Sequence, residues 1–435
     1  MTEASLRVLV VGNGGREHAL VWKIRQSPLV KDVYCAPGNA GIRGLADCVP
    51  IDSTNIVELA DFAQQVAADL TVVGPELPMV LGIADEFTRR GLRIFCPSRA
   101  AAEIEGSKVF ARDFMRRHNV PSPRFEIIGS VEEARAAVAR APFGYPMVMK
   151  VDGLAAGKGV MLVGDEAAAR EAVDQMMDER RFGQAGAKLV IEEFLKGDEV
   201  SFLVFCDGAR VVPMVSAQDH KRLLDGERGP NTGGMGTVSP ATHLTVDLHK
   251  QIMQEVILPT VKGLADEGRR YQGVLYAGLM ITEGGPKVLE FNARFGDPET
   301  QVIMARMRSD LVPVLRGVAD GALGEARIEW AKEAAACVVL AARGYPEAAE
   351  TGKVVEGLDA LQGEKDVIVF HAATGVRDGR VATVGGRVLG VTALAASLEQ
   401  AVQKAYEAAG KISFEGMHYR RDIGQKALAR LRAAH

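Results

Sequence analysis

The stretch Lys287-Val288-Leu289-Glu290-Phe291-Asn292-Ala293-Arg294-Phe295-Gly296-Asp297-Pro298-Glu299-Thr300 decides the fold. Its first half reads as a strand, and residues two apart on a strand point to one face. Glu290 and Asn292 therefore present two oxygen donors together, which suits a Mg2+ or Mn2+ ion bridging nucleotide phosphates. Arg294 falls on the same face if the strand continues. There it can meet a carboxylate or the oxygens of a transferring phosphoryl group. An edge strand with ordinary outward polar residues shows the same pattern. The stretch gains its meaning from what precedes it.

Two elements upstream supply that meaning. Strand-like runs at 147–150 and 160–163 flank the loop Gly153-Leu154-Ala155-Ala156-Gly157-Lys158-Gly159, which predicts a hairpin. The loop is not a P-loop: three residues separate Gly153 from Gly157, and Gly159 replaces the Ser or Thr that would hold Mg2+. It reads as a glycine-rich cover over phosphates, with Lys150 reaching in from the preceding strand. A flexible surface loop with solvated lysines is the alternative. Next comes Ile191-Glu192-Glu193-Phe194-Leu195-Lys196-Gly197-Asp198-Glu199. A strand leaving one module for the next can offer backbone groups to an adenine edge, and Glu199 can accept ribose hydroxyls. An acidic turn between domains reads equally well. Hairpin, acidic hinge and E-x-N strand, in that order, reinforce one another.

The N-terminal segment has another character. A continuous apolar run at 6–11 ends in Gly12-Asn13-Gly14-Gly15-Arg16-Glu17-His18, and a helical period covers 16–27. Strand-like runs at 33–35, 70–73 and 93–96 alternate with helical stretches at 56–68 and 79–90. This predicts a doubly wound parallel sheet over 1–104. The glycines can cradle a phosphate at the helix N-terminus, with Arg16 adding charge, or can simply form a tight turn. Both readings stand. A nicotinamide site is disfavoured, because the third glycine of G-x-G-x-x-G falls at Glu17 and the 33–35 strand ends in Ala36-Pro37 without an acid.

The rest divides into three further parts. A helix at 107–119, long strands at 199–206, 211–216, 274–282 and 286–291, and a helix at 247–269 form a central domain, 105–123 with 196–327. A small α+β lid occupies 124–195, including a helix at 165–179 and a strand at 189–192. The C-terminal domain, 328–435, is α/β or α+β. The strand at 275–280 carries no acid. Ser216-Ala217-Gln218-Asp219-His220-Lys221-Arg222, with the glycine-rich loop 229–236, can wrap a small polar ligand or be a plain loop. His220 is not assigned as a catalytic base.

Composition narrows the partners. The 435 residues carry a net charge of −4, which gives no footprint for nucleic acid. No apolar run approaches the roughly 20 residues that span a bilayer. No signal peptide is expected. Five cysteines lie far apart with no C-x-x-C pair, as for buried thiols in a reducing compartment. A cytoplasmic enzyme is expected, with no nucleic acid or membrane partner.

The order of these motifs resembles the ATP-grasp superfamily. The strings V-G-N-G-G-R-E-H-A-L, A-P-G-N-A-G, V-G-P-E, D-G-L-A-A-G-K-G-V, Q-D-H-K-R, G-P-N-T-G-G-M-G and L-E-F-N-A-R-F-G-D-P-E-T-Q are similar to those of the glycinamide ribonucleotide synthetase family, from Gly12 to Arg420. The resemblance implies ligation of glycine to 5-phosphoribosylamine with ATP, through glycyl phosphate, with no covalent enzyme intermediate. It implies that Glu290 and Asn292 hold the metal. Lys108, Lys150, Gly153, Gly157, Lys158 and Gly159 would bind ATP phosphates. Glu192, Glu193, Phe194 and Leu195 would flank adenine, and Glu199 would take the ribose. Gly14, Gly15, Arg16, Gly38, Asn39 and Glu76 would receive phosphoribosylamine. Lys221, Asn231 and Gly233 would add substrate contacts. Asp219 would pair with the glycine ammonium, and Arg294 with its carboxylate or the phosphoryl group. A monomer or small homo-oligomer is expected.

Overall fold

The structure, a computed structural model, describes residues 5–155, 159–178, 187–324 and 327–433. Strands β1 (Leu6–Gly12), β2 (Val30–Pro37), β3 (Asp47–Cys48), β4 (Leu70–Val73) and β5 (Ile94–Phe95) form a parallel sheet in the order β3-β2-β1-β4-β5. Val8 to Val11 are fully buried, as expected of a strand covered on both faces. The covering helices are α1 (Gly15–Ile24), α2 (Ile56–Gln65), α3 (Glu76–Leu81), α4 (Ile83–Arg89) and α5 (Arg99–Gly106). The single helix expected at 79–90 is two helices. Gly82 at φ +95° ends the first, in a left-handed conformation that L side chains rarely adopt.

Helix α6 (Lys108–Arg117) starts at Ser107, whose hydroxyl accepts the Phe110 N–H. The chain then builds the lid: β6 (Phe125–Ile128), α7 (Val131–Arg140), β7 (Met147–Val151), β8 (Val160–Val163), α8 (Glu166–Val173) and β9 (Leu189–Glu193). Its antiparallel sheet runs β6-β9-β7-β8. The expected hairpin is β7–β8, with Lys150 opposite Val160. Met147, Met149 and Ile191 pack on Ala134, Val138 and Ala169 in a core of the lid's own.

The central sheet runs β11-β10-β16-β17, all antiparallel, from β10 (Asp198–Asp207), β11 (Val211–Pro213), β16 (Gln272–Thr282) and β17 (Gly285–Asn292). Helices α9 (Val246–Ile252) and α10 (Leu258–Asp266) are joined by a π-helical turn, so the helix expected at 247–269 is interrupted and shorter. Helices α11 (Glu299–Arg306) and α12 (Leu311–Ala319) follow.

The C-terminal segment does not form its main sheet alone. Short strands β12 (Gln218–Asp219) and β15 (Gly236–Ser239) join β18 (Ala334–Ala341), β19 (Val367–His371) and β22 (Arg387–Ala395) in the order β12-β15-β18-β22-β19. The expected boundary at 328 is therefore crossed by the β15–β18 ladder. Strands β13 (Arg222–Leu224) and β14 (Arg228–Asn231) form a hairpin, as do β20 (Thr374–Arg377) and β21 (Arg380–Thr383). Helices α13 (Leu398–Ala409) and α14 (Gln425–Ala433) complete the segment. Buried clusters also cross the expected boundaries. One joins Leu9 and Val11 to Phe202 and Val288; another joins Val10 to Phe295, Cys337 and Phe370. Among the described residues the lid has a core to itself, and the C-terminal segment has one that takes in a single buried residue from outside it, Val238.

Candidate active site

The lid, the N-terminal unit, the central sheet and the C-terminal segment surround a cavity of about 1250 Å3. Each contributes charge to it: Arg16 from α1, Lys150 from the lid, Glu290 from β17 and Arg387 from β22.

A bulge on β17 sets one wall. Val288 pairs with Leu279, and Glu290 with Gly278, which leaves Leu289 as the extra residue. The bulge frees carbonyls for cations. Arg112 donates to Val288 O (2.9 Å) and Leu289 O (2.7 Å), and Lys150 Nζ donates to Leu289 O (2.9 Å). Beyond the bulge, Glu290 and Asn292 share a face, as expected. A Cβ at Gly278 would lie 3.3 Å from Glu290 Cγ, so the acid missing from this strand is replaced by room for Glu290.

Lys221 Nζ lies 3.2 Å from Glu290 Oε1 and 3.9 Å from Glu199 Oε2. Lys221 holds the Glu290 carboxyl down at about 2 against the cost of burial, with help from Lys150 and Lys108. The donors fit a small hard cation. Glu290 and Asn292 both offer oxygen, and the buried Asn292 amide makes no side-chain hydrogen bond among the described residues. Among those residues no group of three or more His, Cys, Asp and Glu is placed to hold a metal. An ion here would complete its shell with phosphate and water oxygens, as Mg2+ commonly does.

Behind this wall lies a buried ion network. Glu192 takes Arg112 Nε at 2.6 Å and Lys150 Nζ at 3.0 Å, and all three side chains are buried. Burial pushes Glu192 up, but Arg112 and Lys150 outweigh it and leave its carboxyl below the ordinary value. The Glu192 carboxylate is thus occupied by two cations, and Arg112 was absent from the sequence reading. Its signal was an arginine on the inner face of α6, beside buried Ala111, Phe114 and Met115. Lys108 Nζ donates to Gly153 O at 2.8 Å, which ties α6 to the hairpin loop. Gly159 packs on Val151, where a Cβ would come within 2.5 Å of Cγ2. Gly157 and Lys158 lie outside the described residues. Phe194 and Leu195 line the cavity, with Phe194 38% exposed, while Glu193 accepts from Arg124 at 2.7 Å.

At the other end, Arg294 Nε lies 3.3 Å from Glu76 Oε2 and 3.4 Å from Glu105 Oε1. Burial raises Glu76, but Arg294 and Arg16 overcome it and hold it at about 2. At Glu105 burial wins, and its carboxyl rises to about 7 despite Arg294. Glu105 also accepts the Ala293 N–H at 2.6 Å. No motif marked it in the sequence.

The glycine run before α1 serves a carboxylate of this chain. Glu17 Oε2 accepts the Gly14 N–H at 2.6 Å, and its Oε1 accepts from Arg16 Nε at 2.5 Å. A Cβ at Gly12, Gly14 or Gly74 would lie 2.6, 2.8 or 1.9 Å from Glu17 atoms. Arg16 and Glu76 line the cavity, whereas Gly14, Gly15, Gly38 and Asn39 do not. The Asn39 amide donates to Asn13 O and His371 O and accepts the Gly41 and Ile42 N–H groups.

Asp219 faces the cavity from β12 and accepts its neighbouring His220 N–H at 2.7 Å. Burial pushes its carboxyl well up, and Glu299 adds to the rise. Glu299 is held by Ser201 Oγ at 2.8 Å and Tyr276 OH at 2.6 Å. A buried carboxylate so raised is a place where an incoming cation gains most. Asn231 and Gly233 also line the cavity.

Models of the phosphoribosylglycinamide synthetase family match this chain in three parts: the N domain over 6–105, the ATP-grasp (A) domain over 106–300 and the C domain over 335–426. A phosphoribosylamine–glycine ligase from Vibrio parahaemolyticus is 50% identical over 430 residues, 98% of this chain and 99% of its own. One from Yersinia pestis is 51% identical over 429 residues, 98% of this chain and 100% of its own. The crystal structure of a phosphoribosylamine–glycine ligase from Thermotoga maritima superposes with a TM-score of 0.83 at 35% identity, covering 96% of this chain and 100% of that one. A biotin carboxylase from Campylobacter jejuni shares the fold alone, with a TM-score of 0.73 at 14% identity over 94% of this chain and 92% of its own.

Proposed function

This chain belongs to the phosphoribosylglycinamide synthetase family and is an ATP-dependent ligase that joins glycine to 5-phosphoribosylamine in purine biosynthesis, and from that premise we propose how its residues divide the work. ATP lies with its adenine beside Phe194 and Leu195, its ribose at Glu199 and its phosphates between Lys108, Lys150 and β17. The Glu192 carboxylate and the Leu289 carbonyl fix Lys150 for that contact. Glu290 and Asn292 would hold the divalent ion, Mg2+ or Mn2+, which would neutralise phosphate charge.

Asp219 takes the glycine ammonium, and Arg294, held by Glu76 and Glu105, takes the glycine carboxylate. A carboxylate oxygen attacks the γ-phosphorus, ADP leaves, and glycyl phosphate forms. The phosphoribosylamine nitrogen then attacks the acyl carbon, loses a proton and expels phosphate to give glycinamide ribonucleotide. The protein contributes position and charge neutralisation. No thiol is needed, and burial pushes the Cys35 and Cys96 thiols well above their ordinary value. Phosphoribosylamine enters beside Arg16 and Glu76, with Lys221, Asn231 and Gly233 facing it. Gly14, Gly15, Gly38 and Asn39 act through their backbone, shaping the turns behind that end. Every named group comes from one chain, which fits a monomer or small homo-oligomer.

The observation that carries this reading is the shared face of Glu290 and Asn292 opposite Lys108, Lys150 and Lys221. Purified protein should release phosphate from ATP only when glycine, phosphoribosylamine and Mg2+ are all present. Release driven by bicarbonate, or none with glycine, would contradict it.

A further inference from the structure

We propose that Arg387, from the C-terminal segment, is a positioning residue that sets the carboxylate of Asp219 for the amino-acid substrate. Arg387 NH1 donates to Gly233 O at 2.5 Å and to Asp297 O at 2.8 Å, and its NH2 meets Asp297 Oδ2 at 3.0 Å. One planar guanidinium thus joins the 231–236 loop to the turn before α11. Its fork can satisfy such spaced acceptors, whereas a lysine ammonium is a point charge.

Asp219 packs against the first of the two joined segments. Gly234 has φ +116°, and a Cβ there would come within 2.4 Å of Pro298 Cδ and 2.6 Å of Asp219 Oδ1. The residue after Gly233 therefore sits between the ring that follows Asp297 and the Asp219 carboxylate. Arg387 grips the residue before each of these contacts. A second group from the same segment acts alongside, since Tyr345 OH accepts the Gly233 N–H at 2.9 Å. Arg387 also opposes the rise of the Asp219 carboxyl, so its loss disfavours the charged form that would meet an ammonium.

The C-terminal segment thereby completes the amino-acid end of the cavity. This rests on the reading of Asp219 as the partner of the glycine ammonium. The test compares Arg387→Met, Arg387→Lys, Tyr345→Phe and Asp219→Asn by steady-state kinetics in the full-length protein. Arg387→Met should raise KM for glycine by roughly tenfold or more and leave KM for ATP within about twofold. Arg387→Lys keeps the charge and protects folding, and should fall between Met and wild type. Tyr345→Phe should give a small rise in the same constant. Unchanged KM for glycine in Arg387→Met, or equal rises for glycine and ATP, would overturn the proposal. If Arg387→Met raises KM for glycine and Asp219→Asn does not, the Asp219 route is overturned. If Asp219→Asn raises it and Arg387→Met does not, Arg387 loses its role while the reading of Asp219 survives.

Discussion

Lys221 Nζ lies 3.2 Å from Glu290 Oε1, so the carboxylate that should hold a divalent ion already faces an ammonium group. A divalent ion held by Glu290 and Asn292 would share the Glu290 carboxylate with Lys221.

Glu290→Gln follows from this relationship. The variant keeps the shape and loses the charge that attracts the ion. Turnover should fall on the order of a hundredfold or more, with the melting temperature held. Manganese binding in the presence of ADP, followed by electron paramagnetic resonance, should weaken in parallel. Wild-type turnover in this variant would contradict the metal role.

Arg112→Met tests the buried network. It leaves Glu192 with Lys150 alone, and removing one partner of a buried pair costs about 3 kcal/mol or more. Thermal unfolding should show a clear loss. The double variant with Glu192→Gln should recover part of it. Glu192 has a folded pKa below its ordinary 4.5, so its stabilisation is present above that value and is lost as pH falls below it. Wild type should therefore lose stability on acidification more steeply than Glu192→Gln, and equal slopes would contradict the network.

Glu105 gives the opposite sign. Its folded value of about 7 lies above the ordinary 4.5, so between these the folded protein holds a proton that the unfolded chain has released. Stability from this group is fully present below about 4.5 and is lost as pH rises through about 7. The melting temperature of Glu105→Gln, relative to wild type, should rise between pH 5 and pH 8, on the scale of that titration. A constant difference across that window would count against the buried position of Glu105.

The fold, and the gathering of Lys108, Lys150, Glu199, Glu290 and Asn292 around one cavity, were legible because their signals are local. A hairpin, a hinge and two oxygens on alternate strand positions each fit within a few residues, and their order carried the rest. Arg112, Glu105 and Arg387 were not legible because each acts on a partner far along the chain: Glu192, Arg294 and Asp297. Their helices and strand carry no motif of their own. The β15–β18 pairing across the expected boundary at 328 was not legible for a related reason. Strands β12 and β15 are too short for a hydrophobic period, yet they extend the C-terminal sheet. The glycines at Gly12 and Gly14 make room for Glu17, a contact that the sequence does not show.

The central claim is that the carboxylate of glycine attacks ATP at this site before the amine is joined. Glycine labelled with 18O in both carboxylate oxygens tests it directly, with the released phosphate analysed by mass spectrometry or 31P NMR. The account predicts one 18O atom in each phosphate formed during turnover with phosphoribosylamine. Unlabelled phosphate under the same conditions would contradict it.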